Sequence, residues 1–200
     1  RLPQAICKIM VTQTDAVQST VSQALVYIFE KKDNNASLSS TLVKSAVTNE
    51  LSAVSKKDTK TLGGFFFKNL FNHFCKVQGL FYVHHILSEE LAHILASIDA
   101  SRSDSLVSLQ NVDKRQDNSD LNVGNKFLVL IWAERILKRI HDSITLAPMP
   151  IRDVLLHIHE SLIESGVKKK EAKRRVAQLL FTELFIPALK MPNFYGLLSG

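Results

Sequence analysis

The sequence predicts a domain built almost entirely of α-helices, and three observations carry this prediction. Apolar residues recur every three or four positions in segment after segment. Only seven glycines and five prolines interrupt the 200 residues, which is too few for the frequent turns of an all-β protein. With 46% hydrophobic and 22% charged residues, the chain can bury a core, and its length fits a single domain over residues 1–200.

Each helix is predicted from its own row of apolar residues. The first strong row lies between Asn35 and Val54, and a second runs from Lys126 to His141. A third runs from Ile151 to Leu162, behind two prolines that suit a helix start. The last runs from about Lys169 to Ile186 and is predicted to end at Pro187 and Pro192. These rows predict a core that includes Phe127, Leu130, Ile131, Val154, Ile158, Leu179 and Leu180.

Three polar stretches separate the predicted helices. Lys31–Ser40 is a short turn, and Ser55–Gly64 is a charged linker that closes on two glycines. The longest stretch, Asp99–Gly124, is rich in Ser, Asp and Asn and shows no periodicity. Because it offers little apolar surface to offset the entropy of ordering, we predict a flexible insertion at residues 99–124, sensitive to protease between Ser103 and Asn122.

Several classes of function find no support in the sequence. Phosphate-binding glycine loops, nucleophile elbows and the HExxH zinc motif are all missing, so we expect no cofactor. His84, His85, Glu89 and His93 lie close together on one predicted helix, but no completing ligand is evident, so we expect no metal site. A net charge of +6 without a recognised basic motif falls short of a nucleic-acid footprint, so we expect no nucleic-acid partner.

The cysteines and the amino terminus favour a cytoplasmic location. Cys7 and Cys75 sit among apolar neighbours, which is typical of buried free thiols in a cytosolic protein. The first residues lead into a mixed helix instead of the apolar core of a signal peptide, and no apolar run reaches the length of a membrane span. We expect any association with the membrane periphery to be made through other domains.

Two further features are open to more than one interpretation. Six basic residues fall within Lys168–Arg175, which is typical of a solvated helix face; the alternative is a contact with an acidic partner or phospholipid headgroups. The run Phe65–Phe67 is typical of a core, but three adjacent side chains cannot all face inward from one helix. At least one of them is expected near a neighbouring helix or a partner surface.

Three stretches then occur in an order that a known family shares. The first is Ala24–Glu30, which leads to a second helix at Leu38–Leu51 and then to Thr61-Leu62. The second is Tyr82–Leu87, with further apolar residues one and two turns later. The third and most specific runs from Ile151 to Leu198, where the matching positions are Phe181, Pro187, Ala188, Pro192, Phe194 and Gly196.

In this order and spacing, most of Val21–Leu198 resembles the catalytic domain of the Ras GTPase-activating proteins (RasGAPs), the neurofibromin and IQ-motif GAP-related family. The resemblance implies an all-α, RasGAP-like helical bundle. Because the family's last helices would lie beyond Gly200, it also implies a domain shortened at its carboxyl end.

The chain departs from the family at the two positions that carry its chemistry. The family's loop after Thr-Leu presents an arginine finger, whose guanidinium neutralises charge on the transferring phosphoryl group. Here the loop reads Thr61-Leu62-Gly63-Gly64-Phe65, and no arginine lies between Arg1 and Arg102. A second family arginine, in Phe-Leu-Arg, braces that loop; its place is taken by Glu183. We therefore expect no catalytic residue among these positions and no arginine-finger catalysis, while GTPase activation by another route stays open.

The resemblance implies a small GTPase of the Ras or Rho family, in its GTP form, as the partner. The expected function is to bind it and regulate its signalling as an effector, scaffold or non-catalytic GAP. Two alternatives stay open: a GTPase activator that uses a different catalytic group, and a helical interaction scaffold without a GTPase partner. The residues expected at the partner surface are Thr61, Leu62, Gly63, Gly64, Phe65, Lys173, Arg174, Glu183, Pro187, Ala188, Lys190 and Pro192.

Overall fold

Helices account for nearly all of the described chain in the computed structural model, which confirms the predicted all-α fold. The structure describes residues 2–10, 12–30, 32–33, 36–53, 64–109 and 118–198. At 32–33, 36–37, 53, 65, 100–109 and 118–126 it describes the backbone alone. The α-helices within these ranges are α1 (Leu2–Met10), α2 (Asp15–Phe29), α3 (Leu38–Ala53), α4 (Phe65–Leu109), α5 (Asn118–Asp142), α6 (Met149–Glu164), α7 (Lys169–Leu180) and α8 (Ile186–Lys190). A two-residue antiparallel pair, β1 (Lys32–Asp33) with β2 (Ala36–Ser37), lies between α2 and α3. None of the described helices is both long enough and apolar enough to cross a lipid bilayer.

The chain divides into two compact units. The first comprises Arg1–Phe81 and Ala147–Lys190, and the second comprises Tyr82–Leu146 and Met191–Gly200. Helix α4 contributes its amino-terminal part to the first unit and the rest to the second. The single domain expected from chain length stays a prediction.

The core of the first unit is aromatic on α4 and aliphatic on its neighbours. Phe67 and Phe71 stack with ring centroids 5.8 Å apart, and Phe74 follows at 6.4 Å from Phe71. Phe66 is buried as well, while the side chain of Phe65 lies outside the described residues. The aliphatic part of the unit's core comes from Leu42, Val43 and Val47 of α3 and Ile151, Val154, Ile158 and Leu162 of α6. The predicted burial of Val154, Ile158, Leu179 and Leu180 is confirmed.

Gly79 lets the body of α4 come close to the end of the chain's last long helix. A Cβ atom at this position would lie 2.9 Å from Leu184 Cδ1 and 3.2 Å from Ile151 Cδ1. Both distances are shorter than an ordinary carbon–carbon contact, so a larger residue would push two buried side chains apart. The absence of a side chain at Gly79 therefore fixes how closely α4, α6 and the residues around Leu184 pack.

In the second unit, polar contacts join α4 to α5. Glu89 pairs with Arg139 at 2.8 Å, and Glu90 pairs with Arg135 at 2.9 Å. The hydroxyl of Tyr82 donates a hydrogen bond to the backbone carbonyl of Ser143 at 3.3 Å. These contacts show which side of α5 faces α4.

The core prediction for α5 is wrong. Phe127 is 64% exposed, Leu130 68% and Ile131 38%. The inward side of the helix instead carries the half-buried Trp132 and Ile136 and the buried Ile140, spaced four residues apart. In the uninterrupted apolar run FLVLIWA, periodicity cannot select the buried face. Arg135 and Arg139, which pair with Glu90 and Glu89 of α4, lie on the same side of the helix as these inward residues.

The polar stretch at 99–124 is more helical than predicted. The α4 backbone continues to Leu109, and α5 begins at Asn118. Residues 110–117 lie outside the described part of the chain, and the flexibility of the insertion stays a prediction. Its Ser, Asp and Asn residues lower helix propensity without forbidding helix, which is why composition overstated the break.

Candidate functional site

Only part of the predicted partner surface lies within the described residues. Thr61, Leu62 and Gly63 fall outside them, and Phe65 is described by its backbone alone as the first residue of α4. Gly64 is described, is exposed and directly precedes α4. Gly64 is therefore the one fully described residue of the loop that resembles the family's finger loop.

The backbone of Gly64 is hydrogen-bonded to the carboxylate of Glu50. Its backbone N–H donates to Glu50 Oε1 at 2.5 Å, and its carbonyl accepts the N–H of Lys68 at 3.1 Å as the first turn of α4 forms. A Cβ atom built on Gly64 would lie 3.3 Å from the carboxyl carbon and both oxygens of Glu50. Any side chain at this position would thus begin against a negatively charged group.

The second part of the predicted surface is one helix interrupted by a π-helical turn. Helix α7 passes into a π turn, Phe181–Phe185, and then into α8. In the π turn the N–H of Ile186 donates to the carbonyl of Phe181, five residues back. The predicted stop at Pro187 is wrong, since the helix continues past it to Lys190.

Pro187 explains both the π turn and an unusual contact at Glu183. In a regular α-helix the N–H of residue 187 would donate to the carbonyl of residue 183, but proline has no N–H. Asn72 of α4 supplies the donor instead, with its Nδ2 3.0 Å from the Glu183 backbone oxygen. The same nitrogen lies 3.3 Å from Glu183 Oε2. Proline and π turns are common causes of such local breaks in helices, and π turns are frequent at functional sites.

Glu183 is therefore anchored to α4. It is half-buried, and its hydrogen bonds come from Asn72. Its charge also acts on Cys75, whose pKa is raised well above its usual range, first by complete burial and then by Glu183. A thiol in this environment stays protonated and unreactive at neutral pH.

The other residues predicted at the partner surface, which lie between Pro187 and Pro192, differ in their solvent exposure. Pro187 is half-buried, and Ala188 is fully buried, so Ala188 supports the turn without facing solvent. Lys190 is exposed at the end of α8. Pro192 is half-buried in the second unit, where it starts the 3-10 turn Pro192–Tyr195.

On α7, the basic residues fall into two groups. Arg174 donates two hydrogen bonds of 2.9 Å to the carboxylate of Glu171, and Arg175 donates one of 2.9 Å. These hydrogen bonds lower the pKa of Glu171 to about 2. Lys173 is exposed and has no salt bridge within the described part of the chain. Arg174 is exposed but already engaged, so of these two predicted contact residues it is Lys173 whose charge is available to a partner.

Sequence reasoning missed two of the residues that shape this region, Glu50 and Asn72. A proline within an apolar helical row could have indicated that the carbonyl of residue 183 needs another donor. The donor itself lies 111 positions away in sequence, so no local pattern names it. For metals, no cluster of three or more His, Cys, Asp or Glu side chains suited to an ion occurs among the described residues.

Comparison with known proteins gives one informative similarity. No protein-family model matches the chain. Over 182 residues it is 22% identical to a protein from Dictyostelium discoideum described as "Probable Ras GTPase-activating-like protein ngap". The similarity is to a RasGAP-like protein. The aligned region covers 90% of this chain but 19% of the relative, so the chain spans about a fifth of that protein's length. At this identity the similarity supports a distant RasGAP-like relationship, in agreement with the all-α fold.

Proposed function

We propose that this chain binds a small GTPase of the Ras or Rho family in its GTP form and regulates its signalling without arginine-finger catalysis. The proposal is supported by the ordered family motifs, the all-α fold and the similarity to a RasGAP-like protein over 90% of the chain. In this proposal the chain binds a GTPase as a RasGAP-like domain would, but it does not accelerate GTP hydrolysis with an arginine finger.

The observation that carries the second half of the proposal is the contact of Gly64 with Glu50. An arginine finger works because a planar cation reaches the transferring phosphoryl group and stabilises its developing negative charge. At the described end of this loop the residue is a glycine, and its backbone nitrogen lies 2.5 Å from the carboxylate of Glu50. This group adds negative charge where the reaction needs positive charge.

Glu183 occupies the position of the family's second arginine and has a different structural role. Glu183 lies within the π turn, where its backbone oxygen and its carboxylate both contact the side-chain amide of Asn72. A residue held in this way stabilises the turn between α7 and α8. It cannot brace a finger loop with a guanidinium, so both halves of the arginine mechanism are replaced by groups of the opposite charge or none.

The binding surface we propose combines exposed cations with an anchored turn. Lys173 and Arg174 on α7 and Lys190 on α8 are exposed, and all belong to the first unit, as does Gly64. Cations arranged around a GTP-bound partner's acidic surface would speed association more than they would tighten the final complex. The loop that ends at Gly64 would lie against the partner, although the backbone N–H and carbonyl of Gly64 itself are already bonded to Glu50 and Lys68.

The test measures binding and hydrolysis on the same GTPases. Ras- and Rho-family proteins are loaded with GDP or with a non-hydrolysable GTP analogue, and their affinity for the purified chain is measured by calorimetry. Preference for the GTP-like form in at least one of them is expected. Equal binding to both forms, or none at all, would favour the helical scaffold. Strong acceleration of GTP hydrolysis would favour an activator that uses another catalytic group.

A further inference from the structure

The amino-terminal end of α7 carries more positive charge than the GTPase proposal uses. Lys168, Lys169 and Lys170 are consecutive, all exposed, and lie directly before and within the first turn of the helix. None of the three ammonium groups has a hydrogen bond or ion pair within the described part of the chain. We call these three residues the lysine end of α7.

This charge is placed where a helix tolerates it least. The first turn of a helix exposes backbone N–H groups and carries the positive end of the helix dipole, so anions stabilise it and cations do not. The one acidic residue in that turn is Glu171, and its carboxylate is already held by Arg174 and Arg175 at 2.9 Å. Among the described residues, none other than Glu171 neutralises the positive potential at the lysine end.

The arrangement of the lysines favours a broad anionic surface. Successive residues of a helix point about 100° apart, so the consecutive side chains spread around the helix end and do not share one face. Lys173 adds a fourth ammonium one turn from Lys169. Lysine is a strongly hydrated point charge without the planar fork that arginine uses for directed, bidentate contacts, which suits a diffuse layer of phosphate groups.

The loop before the lysine end leaves room for such an approach. Gly166 has a left-handed backbone (φ 89°), and nothing lies within 4 Å of the position where its Cβ would be. Ile163, at the end of α6, is 39% exposed beside this loop. The space directly beside Gly166 is therefore open, and an exposed apolar side chain lies close to it in sequence.

We propose that the lysine end of α7 binds the surface of an anionic phospholipid bilayer. Clusters of four to eight basic residues on an amphipathic helix commonly bind membranes rich in phosphatidylserine, at about 1 kcal/mol for each lysine near the surface. The neighbouring Lys173 brings this cluster to four. This surface role would belong to the chain itself and does not depend on a GTPase partner.

The experiment is sedimentation of the purified chain with vesicles of phosphatidylcholine alone or with about 30% phosphatidylserine, a composition chosen to give a strong surface potential. We expect binding to the anionic vesicles only, and its loss at about 0.5 M salt, where the Debye length is a few ångströms. The triple variant Lys168→Glu, Lys169→Glu and Lys170→Glu should reduce the partition coefficient by about a hundredfold. Glutamate in the first turn suits the helix dipole, so circular dichroism should show the fold unchanged.

A matched variant separates local charge from net charge. Lys8, Lys68 and Lys138 are exposed on α1, α4 and α5, and their replacement by glutamate also changes the net charge of +6 by −6, to zero. This control should lose less than about tenfold of the binding, since its charges lie elsewhere on the surface. Equal losses in the two variants, or equal binding of the wild type to both kinds of vesicle, would overturn the proposal. Binding to polyglutamate but not to anionic vesicles would likewise overturn it and identify an acidic protein as the partner.

Discussion

The side-chain amide of Asn72 donates a hydrogen bond of 3.0 Å to the backbone carbonyl of Glu183, on a helix 111 residues further along the chain. Pro187 creates the need for this bond, because it removes the N–H that would otherwise reach that carbonyl. Asn72 of α4 thus supplies the missing hydrogen bond of the π turn. The resemblance to RasGAPs implies that this turn is part of the partner surface.

Replacing Asn72 by alanine should destabilise the first unit. The Glu183 carbonyl would be left without a donor in a half-buried place, at a cost of about 1–3 kcal/mol. The measurement is the urea midpoint followed by circular dichroism. Gln23→Ala, at an exposed position of α2, is the control and should change stability by less than about 0.5 kcal/mol.

A double-mutant cycle of Asn72 with Pro187 tests whether Asn72 stabilises the protein through the Glu183 carbonyl. Pro187→Ala restores a backbone N–H that can donate to Glu183, so Asn72→Ala should cost less in that background. A double-mutant cycle should give an interaction of at least about 0.5 kcal/mol. Strict additivity would show that Asn72 acts by packing and not through the carbonyl.

The fold was predictable because helices depend on local pattern. Apolar rows on α3 and α6 and prolines at the start of α6 are features of short segments, and the structure confirms them. The outward face of α5 was not predictable, because its inward side lies against Glu89 and Glu90 of a helix segment distant in sequence, and no local pattern names that contact. For the same reason the candidate site was predicted by residue type, while its contacts with Glu50 and Asn72 were not.

Stability should depend on pH through Glu171. Its pKa is lowered to about 2, because Arg174 and Arg175 donate hydrogen bonds to the ionised carboxylate. A lowered pKa means that the stabilisation is fully present above the unfolded value, roughly 4.3, and is lost as pH falls through the folded value. The difference in urea midpoint between wild type and Glu171→Gln should therefore be constant from pH 7 to 5 and shrink from there toward pH 2. A difference that stays constant down to pH 2 would contradict this assignment.

Reversing the charge of Lys173 should slow association with the GTPase. Lys173→Glu is chosen over a change at Arg174, which already binds Glu171. Stopped-flow measurements should show association slower by about three- to tenfold at 20 mM salt, with a smaller effect at 200 mM as screening increases. Lys138→Glu on α5 is the control for net charge. An unchanged rate for Lys173→Glu, with a confirmed partner, would move the contact surface away from α7.

Introducing arginine at position 64 should restore little activity. The new side chain would start 3.3 Å from the Glu50 carboxyl group and would pair with it before reaching a nucleotide. Single-turnover hydrolysis with Gly64→Arg should rise by less than about tenfold, a small part of the 10³–10⁵ that an arginine finger supplies. Adding Glu50→Gln should increase the effect, and Gly64→Gln is the uncharged control. A rise of a hundredfold with Gly64→Arg alone would show that Glu50 does not hold the side chain back.

Single-turnover GTP hydrolysis by the wild-type chain tests the central proposal most directly. The purified chain is mixed with GTP-loaded Ras- and Rho-family proteins at concentrations that saturate the binding measured by calorimetry. With Gly64 and Glu50 at the end of the loop that resembles the finger loop, we predict acceleration below about tenfold for every GTPase that binds. Acceleration of about a thousandfold for any of them would contradict the account and would require a catalytic cation elsewhere in the chain.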